Sequence, residues 1–314
     1  MVALETNGGA DAGRRHPRPR AHNKMKYRRG DAISAWVMLT PALALFTLFI
    51  IIPTLSGIGL SFFSWHFLDT PEWIGLQNFQ NLIADTQAWH SLGITFYFVI
   101  LGVIPTVLIG FMLAVLVNAN IPGIGVIRVL YFIPVVLSVA VSGVLWNFIY
   151  DPRQGPIADV FRFFNLTPPV LLESQTLATP ALVLMMIWLA LPIVIILYLS
   201  GLQRVSPDIY AAAALDGAGR WRTLWSITWP NVASTTFVVG VLQVINFVGS
   251  SLDVAKVMTN GDPLGATQSL SLYAYKQAFT NIDAGYASTL SVLQLVIVVA
   301  IVGAIRFVIR KLER

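Results

Sequence analysis

Gln243 and Asn246 stand three residues apart in an apolar run, with Ser250 and Ser251 one to two turns further on. At that spacing the two amides share one helix face and can present donors and acceptors together. Trp146, Asn147, Trp188, Tyr198 and Gln294 are the other polar or aromatic positions set deep in apolar runs, and Asp253 lies just past one. Amides beside aromatic faces suit a neutral hydroxylated ligand, offering hydrogen bonds and flat surfaces for C–H groups. Polar groups are costly in lipid and turn toward a protein interior or a water-filled cavity. Each single residue therefore has two readings, as cavity lining or as an interhelical hydrogen bond of about 0.6–2 kcal/mol. Gln243 and Asn246 as a pair read as lining. None of the deep positions is charged, because Asp253 and Arg306 fall at or near the ends of their runs, where snorkelling or water accommodates them.

The elements that hold these residues follow from composition. Hydrophobic residues make up 56% of the 314-residue chain and charged residues 11%, and mean hydropathy is +0.72. Soluble domains run at about 45–50% and about 25%. A water-soluble globule is excluded, and an all-α polytopic membrane protein is the expected class. Runs long enough to span at about 20 residues each fall at 35–63, 93–117, 129–150, 177–199, 231–251 and 288–308. Prolines inside them, such as Pro41, Pro105 and Pro192, are tolerated where neighbouring helices satisfy the freed carbonyls. With no cysteine, there is neither a disulfide framework nor a thiolate metal site. His16, His22, His66 and His90 lie outside the runs, so no cluster of catalytic side chains forms at one depth.

Six spans place both termini on one side, and the basic residues choose which. Of the twenty lysines and arginines, sixteen lie before the first run, between runs two and three, between four and five, or at the C-terminal end; Arg153, Arg162, Lys256 and Lys276 lie on the other side. That imbalance predicts cytoplasmic termini in a bacterial or archaeal inner (cytoplasmic) membrane, with lipid rather than nucleic acid as the partner of the charge. Residues 1–34 read as a disordered basic tail and 309–314 as a short basic tail, flanking a membrane domain over 35–308.

One cytoplasmic loop, residues 206–230, carries the sequence SPDIYAAAALDGAGRWRTLWSITWP. Ser206 can cap a helix, Pro207 suits its first position and Asp208 complements its dipole. The helix should stop at Gly217 or Gly219 in the left-handed conformation, with a second short helix from Trp221 to about Thr228. Four successive alanines leave a face with little bulk, which fits a groove on another protein, while Leu215, Ala218, Trp221, Leu224 and Trp225 fill the inner side or that groove. A hairpin lying in the headgroup layer with its tryptophans at the interface is the alternative.

The loop resembles the signature loop of importer-type ABC permeases, Glu-Ala-Ala, three residues, Gly, nine residues, Ile-x-Leu-Pro. Ala212, Ala213, Gly217, Ile227 and Pro230 fall at the matching places, and Asp216-Gly217-Ala218 matches the sugar-permease form. Two positions depart from it: Ala211 stands where the family has glutamate, and Trp229 where it has leucine. WIGLQNF (73–79), IRVLYFIPVVLS (127–138) and VMTNGDPLGATQSLSLYAYKQAF (257–279), followed by Gly285-Tyr286-Ala287-Ser288, are similar to elements of the maltose- and glycerol-phosphate-type sugar permeases. Within the third motif Tyr273, Tyr275 and Phe279 read either as a packed or interfacial aromatic face or as sugar platforms, and within the first Gly75 and Asn78 read as a turn.

The resemblance implies the type I importer permease fold, six transmembrane helices with a coupling helix between spans four and five. It implies ATPase coupling through Ala211, Ala212, Ala213, Asp216, Gly217, Ala218, Ile227 and Pro230. A substrate path would draw on Trp146, Asn147, Trp188, Gln243, Asn246, Ser250 and Gln294. Its partners would be a second related permease, an ATPase dimer and an extracytoplasmic solute-binding protein. No phosphate-cradling G-x-x-x-x-G-K-[ST] occurs, so the chain binds no cofactor of its own, and ATP with magnesium is expected on the ATPase. The expected activity is import of a sugar or oligosaccharide, non-enzymatic in this chain. A polyol or glycerol-phosphate-type substrate is the rival within the family. An ion-coupled carrier is the rival outside it, against which the uncharged spans argue.

Overall fold

The computed structural model describes residues 29–67, 69–118 and 124–312. Residues 1–28 of the expected basic tail and residues 313–314 lie outside the described residues. Contacts divide the chain into two units, residues 1–53 and 54–314. In the first, helix α1 (Arg29–Phe46) runs on through a π-helical turn, Thr47–Ile51, into α2 (Ile52–Leu60). Pro41 lies inside α1, and the apolar stretch Ser34–Leu60 is long enough to cross a membrane.

The second unit takes α2 from Thr54 onward and continues with a short antiparallel pair, β1 (Phe63–Ser64) and β2 (Glu72–Trp73), in the register Phe63↔Trp73 and Ser64↔Glu72. Helices α3 (Gln77–Ala84), α4 (Thr86–Asn118), α5 (Ile124–Phe132), α6 (Val139–Tyr150), α7 (Pro156–Phe163) and α8 (Ala178–Leu202) follow. The hairpin contributes α9 (Pro207–Leu215), α10 (Arg220–Arg222), a π-helical stretch Thr223–Thr228 and α11 (Trp229–Asn231). Helices α12 (Ala233–Met258), α13 (Leu270–Phe279) and α14 (Ala284–Leu312) complete the unit.

Its centre is α4 laid along α8, with α12 crossing both. On α4 the two faces separate by helical period: Phe98, Gly102, Thr106 and Gly110 turn inward, while Ile100, Ile104, Leu108 and Met112 stay exposed. An apolar exposed stripe is what lipid requires of a spanning helix. Lipid tails are as apolar as leucine, so packing between such helices rests on close approach rather than on exclusion of water. Gly102 shows this: a Cβ there would lie 2.0 Å from Cε1 of the Phe247 ring on α12. Phe247 itself is fully buried, among Phe98, Met185 and Leu182.

Two features depart from the sequence expectation. The run 129–150 is a broken pair, Val129–Val136 and Val139–Tyr150, bent by 117°. Pro134 lies in a 3₁₀ turn, Leu137 is extended, and Ser138 caps α6 by accepting from Val141 N. A new cap ends one helix and starts another, which an unbroken apolar run does not reveal. Among the described residues five helices are long and apolar enough to span, or six with the bent pair counted as one. The helices also outrun the hydropathy. Helix α4 starts at Thr86, where Asp85 Oδ1 accepts from the amides of Gln87 and Ala88, and α12 continues to Met258 through Asp253 and Lys256.

Candidate functional site

Along α12, Asn246 Nδ2 donates to Gln243 Oε1 at 3.3 Å, and Ser250 Oγ donates to Asn246 Oδ1 at 3.2 Å. The i, i+3, i+7 spacing makes one ladder of the three side chains. Gln243, 3% exposed, anchors it inside the unit, whereas Asn246 is exposed and Ser250 half-buried. Gly249 and Asp253 share the open face with Asn246. A spanning helix with a polar open face requires water or another protein there, since lipid would leave those groups unsatisfied.

Gln294 enters through a residue that sequence reasoning missed. Ser271, on α13, donates to Gln294 Oε1 at 2.8 Å and lies 3.1 Å from the carbonyl oxygen of Val248. It thereby joins α14, α13 and α12 beside the ladder. Ser271 lies outside every apolar run, in a segment read for its tyrosines, so depth in the membrane gave no signal for it.

Trp146, Asn147 and Trp188 form a different place. Trp146 packs edge-on to Trp188, ring centroids 5.7 Å apart, and against Tyr150 at 5.1 Å. This cluster borders the core of Met185, Met186 and Leu182. Among the described residues, Ser142 Oγ, Trp146 Nε1 and Asn147 Oδ1 are buried and find no hydrogen-bond partner. All three are on α6, with Ser142 and Trp146 one turn apart on the same face.

In the hairpin, Ser206 Oγ accepts from Asp208 N, and α9 ends as its glycine requires. Gly217 has φ +71°. Ala218 N bonds Ala213 O at 2.9 Å and Gly217 N bonds Ala214 O at 3.1 Å, the pair of reversed bonds that closes a helix on a left-handed residue. Ala213 is buried, Ala218 half-buried, and Ala211, Ala212, Asp216 and Gly217 are exposed. The aromatic residues divide by direction. Trp229 meets Phe111 of α4 edge-on at 4.8 Å, with Trp225 beside both. Leu215 and Trp221, expected to fill an inner side or a groove, point away from the bundle at 90% and 69% exposure. Ile227 is half-buried and Pro230 exposed. Trp229, the departure from leucine, thus has a structural place: its ring seals the hairpin base against α4.

The motifs 73–79 and 257–279, with residues 285–288, are structural ties at the opposite end of the α4–α8–α12 bundle, whereas Tyr131 of the motif 127–138 packs against the same core as Leu224 and Trp229 at the hairpin end. Asn78 is buried and donates to the carbonyl oxygens of Ser61 and Phe63 at 3.1 and 2.9 Å. Tyr273 and Tyr286 both donate to Asp85 Oδ2, so one carboxylate links the start of α4 to α13 and α14. Burial pushes the Asp85 pKa up, but the hydrogen bonds from Tyr286, Tyr273, Ala88 and Gln87 outweigh it and hold the group below its ordinary value. Burial first, and then Asp85, push the Tyr273 phenol up to about 12. Among the described residues no group of three His, Asp or Glu side chains gathers to hold a metal.

Spanning helices around a polar ladder, with a helical hairpin projecting from one end, define a membrane permease. The family described as binding-protein-dependent transport system inner membrane component matches residues 82–314, and the chain belongs to that family. It is 29% identical, over 88% of this chain and 93% of the relative, to the trehalose/maltose transport system permease protein MalF of Thermococcus litoralis. It is 27% identical, over 77% of this chain and 83% of the relative, to the sn-glycerol-3-phosphate transport system permease protein UgpA of Agrobacterium fabrum. The fold matches a chain of a bacterial alginate ABC transporter, solved in complex with alginate pentasaccharide-bound periplasmic protein. The TM-score is 0.78 at 20% identity, covering 91% of this chain and 96% of that one. The protein is a multi-pass permease subunit of the type I ABC importer fold.

Proposed function

We propose that this chain forms half of the translocation path of an ATP-driven importer for a neutral sugar or oligosaccharide. A second related permease supplies the other half, an extracytoplasmic binding protein delivers the substrate, and a separate ATPase dimer holds ATP and magnesium. The observation that carries the proposal is the hairpin: its base is fixed to α4 by Trp225 and Trp229 on Phe111, while its tip offers Leu215 and Trp221 to a partner. Movement imposed on the tip passes through α11 into α12, the helix that carries the Gln243–Asn246–Ser250 ladder. Closure of the ATPases would then re-aim those amides.

Ala211 leaves the docking surface without the family's carboxylate. An exposed ion pair is worth about 0–1 kcal/mol, so packing of Leu215 and Trp221 supplies the grip. A neutral substrate is supported by the ladder, which is built of amides and a hydroxyl with no charge among them. The name of one relative, a trehalose/maltose permease, supports a neutral saccharide, while that of another, an sn-glycerol-3-phosphate permease, supports the rival substrate class. The imbalance of basic residues supports a cytoplasmic hairpin and cytoplasmic termini.

The test is purification from the native membrane, followed by ATP hydrolysis with and without saccharide-loaded binding protein. Co-purification of an ATPase and stimulated hydrolysis are expected. In the Leu215→Ser/Trp221→Ser variant, stimulation should fall about tenfold or more while folding of the spans persists. A chain that purifies alone and moves solute on an ion gradient without ATP would overturn the proposal.

A further inference from the structure

The end of the bundle that carries β1, β2 and α13 holds a cavity of about 420 Å³, within the range of roughly 300–1,000 Å³ typical of ligand sites. Its two walls differ in chemistry. One is a run of aromatic rings: Trp65 on Phe67 with centroids 4.9 Å apart, Phe67 stacked on Phe279 at 6.5 Å and 22°, and Phe279 on Tyr275 at 4.8 Å. The other is polar, with Ser271, Ser288, Ser291 and Gln294. From these two walls we infer a saccharide subsite at this mouth, in which pyranose rings of a neutral oligosaccharide lie on the aromatic run before reaching the ladder on α12. The inference rests on the sugar reading above and adds a place where the sugar is first held by this chain.

Several details favour a sugar over lipid. Trp65 Nε1 donates to Asp69 O at 3.0 Å, so the indole is held in place by its edge and its ring face is left for stacking. Lys256 Nζ sits 3.7 Å from the Tyr275 ring centroid, fixing the far end of the run by a cation–π contact. Gln294 Oε1 is engaged by Ser271, which leaves its Nε2 to donate to a ligand hydroxyl. Ser271 and Ser291 already donate within the protein, to Gln294 and Val248 O and to Ala287 O respectively. What the floor offers a ligand is therefore their acceptor lone pairs, the Ser288 hydroxyl and the Gln294 amide hydrogens, for which lipid tails have no partner. A hydroxylated ring satisfies both walls at once. Ser271 also ties this floor to α12, the helix that carries the ladder, through its hydrogen bond to Val248 O. Phe279, 66% exposed, thereby takes the platform reading, Tyr275 buttresses it from beneath Lys256, and Tyr273 is a structural tie to Asp85.

The chain has no cysteine, so Ser288→Cys gives it a single thiol inside the cavity, and Ser291→Cys a second, independent reporter. In the transporter as purified from its native membrane, the rate of maleimide alkylation is followed with and without millimolar maltose, trehalose or maltohexaose. Maltohexaose is expected to slow labelling at least about fivefold, whereas a polyethylene glycol of similar mass leaves the rate unchanged. Phe279→Ala in the same background should raise the concentration giving half-protection about tenfold. Labelling unaffected by all three saccharides overturns the subsite, as does a thiol at either position that never reacts because another chain covers it. ATP-driven saccharide uptake is measured in parallel. Uptake without protection sinks the subsite alone, protection without uptake sinks the importer proposal alone, and neither signal sinks both.

Discussion

Asp85 shows how one side chain can hold an end of the bundle together. Its carboxylate accepts from two phenols on α13 and α14 and from two amides that open α4. The net effect is a folded-state pKa below the ordinary carboxylate value. A depressed pKa contributes stability that is present above about pH 4, the unfolded value, and is lost as pH falls through the folded one. Acid below that range should therefore loosen the start of α4 from α13 and α14, measurable as faster amide exchange at Gln87 and Ala88. Asp85→Asn keeps one acceptor oxygen but loses the charge, at a cost of about 1 kcal/mol for each weakened bond. Because Tyr286 bonds the same oxygen, Tyr286→Phe and Asp85→Asn should be sub-additive in melting temperature. Full additivity would mean that the carboxylate and the phenol act separately and that the clamp does not exist.

At the scale of elements, close approach between helices sets the sharpest expectations. Gly102→Ala would drive a Cβ into the Phe247 ring of α12, and overpacking of this kind costs about 1–3 kcal/mol. Gly240→Ala, on α12, meets nothing within 4 Å and gains helix propensity over glycine. The first variant should melt several degrees lower than wild type and the second should not, as followed by thermal unfolding in detergent. Equal melting temperatures would mean that α4 and α12 can separate without loss.

The same scale shows what was legible in the sequence. The long apolar runs became helices α4, α8, α12 and α14, because a run of about 20 apolar residues admits few alternatives in lipid. The start of the hairpin at Ser206 and Pro207 and its stop at Gly217, one of the two glycines expected, were legible because each acts locally, whereas the π-helical stretch Thr223–Thr228 in place of a plain second helix was not. The break at Leu137–Ser138 was not, because Ser138 chooses between capping and continuing a helix according to its tertiary surroundings. Nor was the division of the deep polar set. Gln243, Asn246 and Ser250 lie on one helix and came out together. Ser271 and Gln294 come from different helices, and Trp146 and Trp188 turned to a separate cluster. The direction of Leu215 and Trp221 was equally hidden, since it depends on which aromatic residues Phe111 of α4 accepts.

For the whole molecule, sidedness is the property on which the proposed coupling depends. The hairpin and the segment 259–269 leave opposite ends of the same bundle, because α12 leads from one to the other in 26 residues, about 39 Å at 1.5 Å per residue. That length exceeds a hydrocarbon core of about 30 Å, so the two ends emerge on different sides. The proposed place of the hairpin in the cytoplasm rests on the sixteen-to-four imbalance of basic residues that the six-run reading of the sequence gives. Leu215 and Leu264 test this directly, being 90% and 82% exposed at their respective ends in a chain with no native thiol. In intact cells Leu264→Cys should react with a membrane-impermeant maleimide, whereas Leu215→Cys should react only after the membrane is opened. Once opened, Leu215→Cys should be shielded in the assembled transporter and unshielded in the chain purified away from its partners. The reverse pattern of labelling would put the hairpin outside, where no ATPase could reach it, and the coupling proposal would fall whatever the substrate.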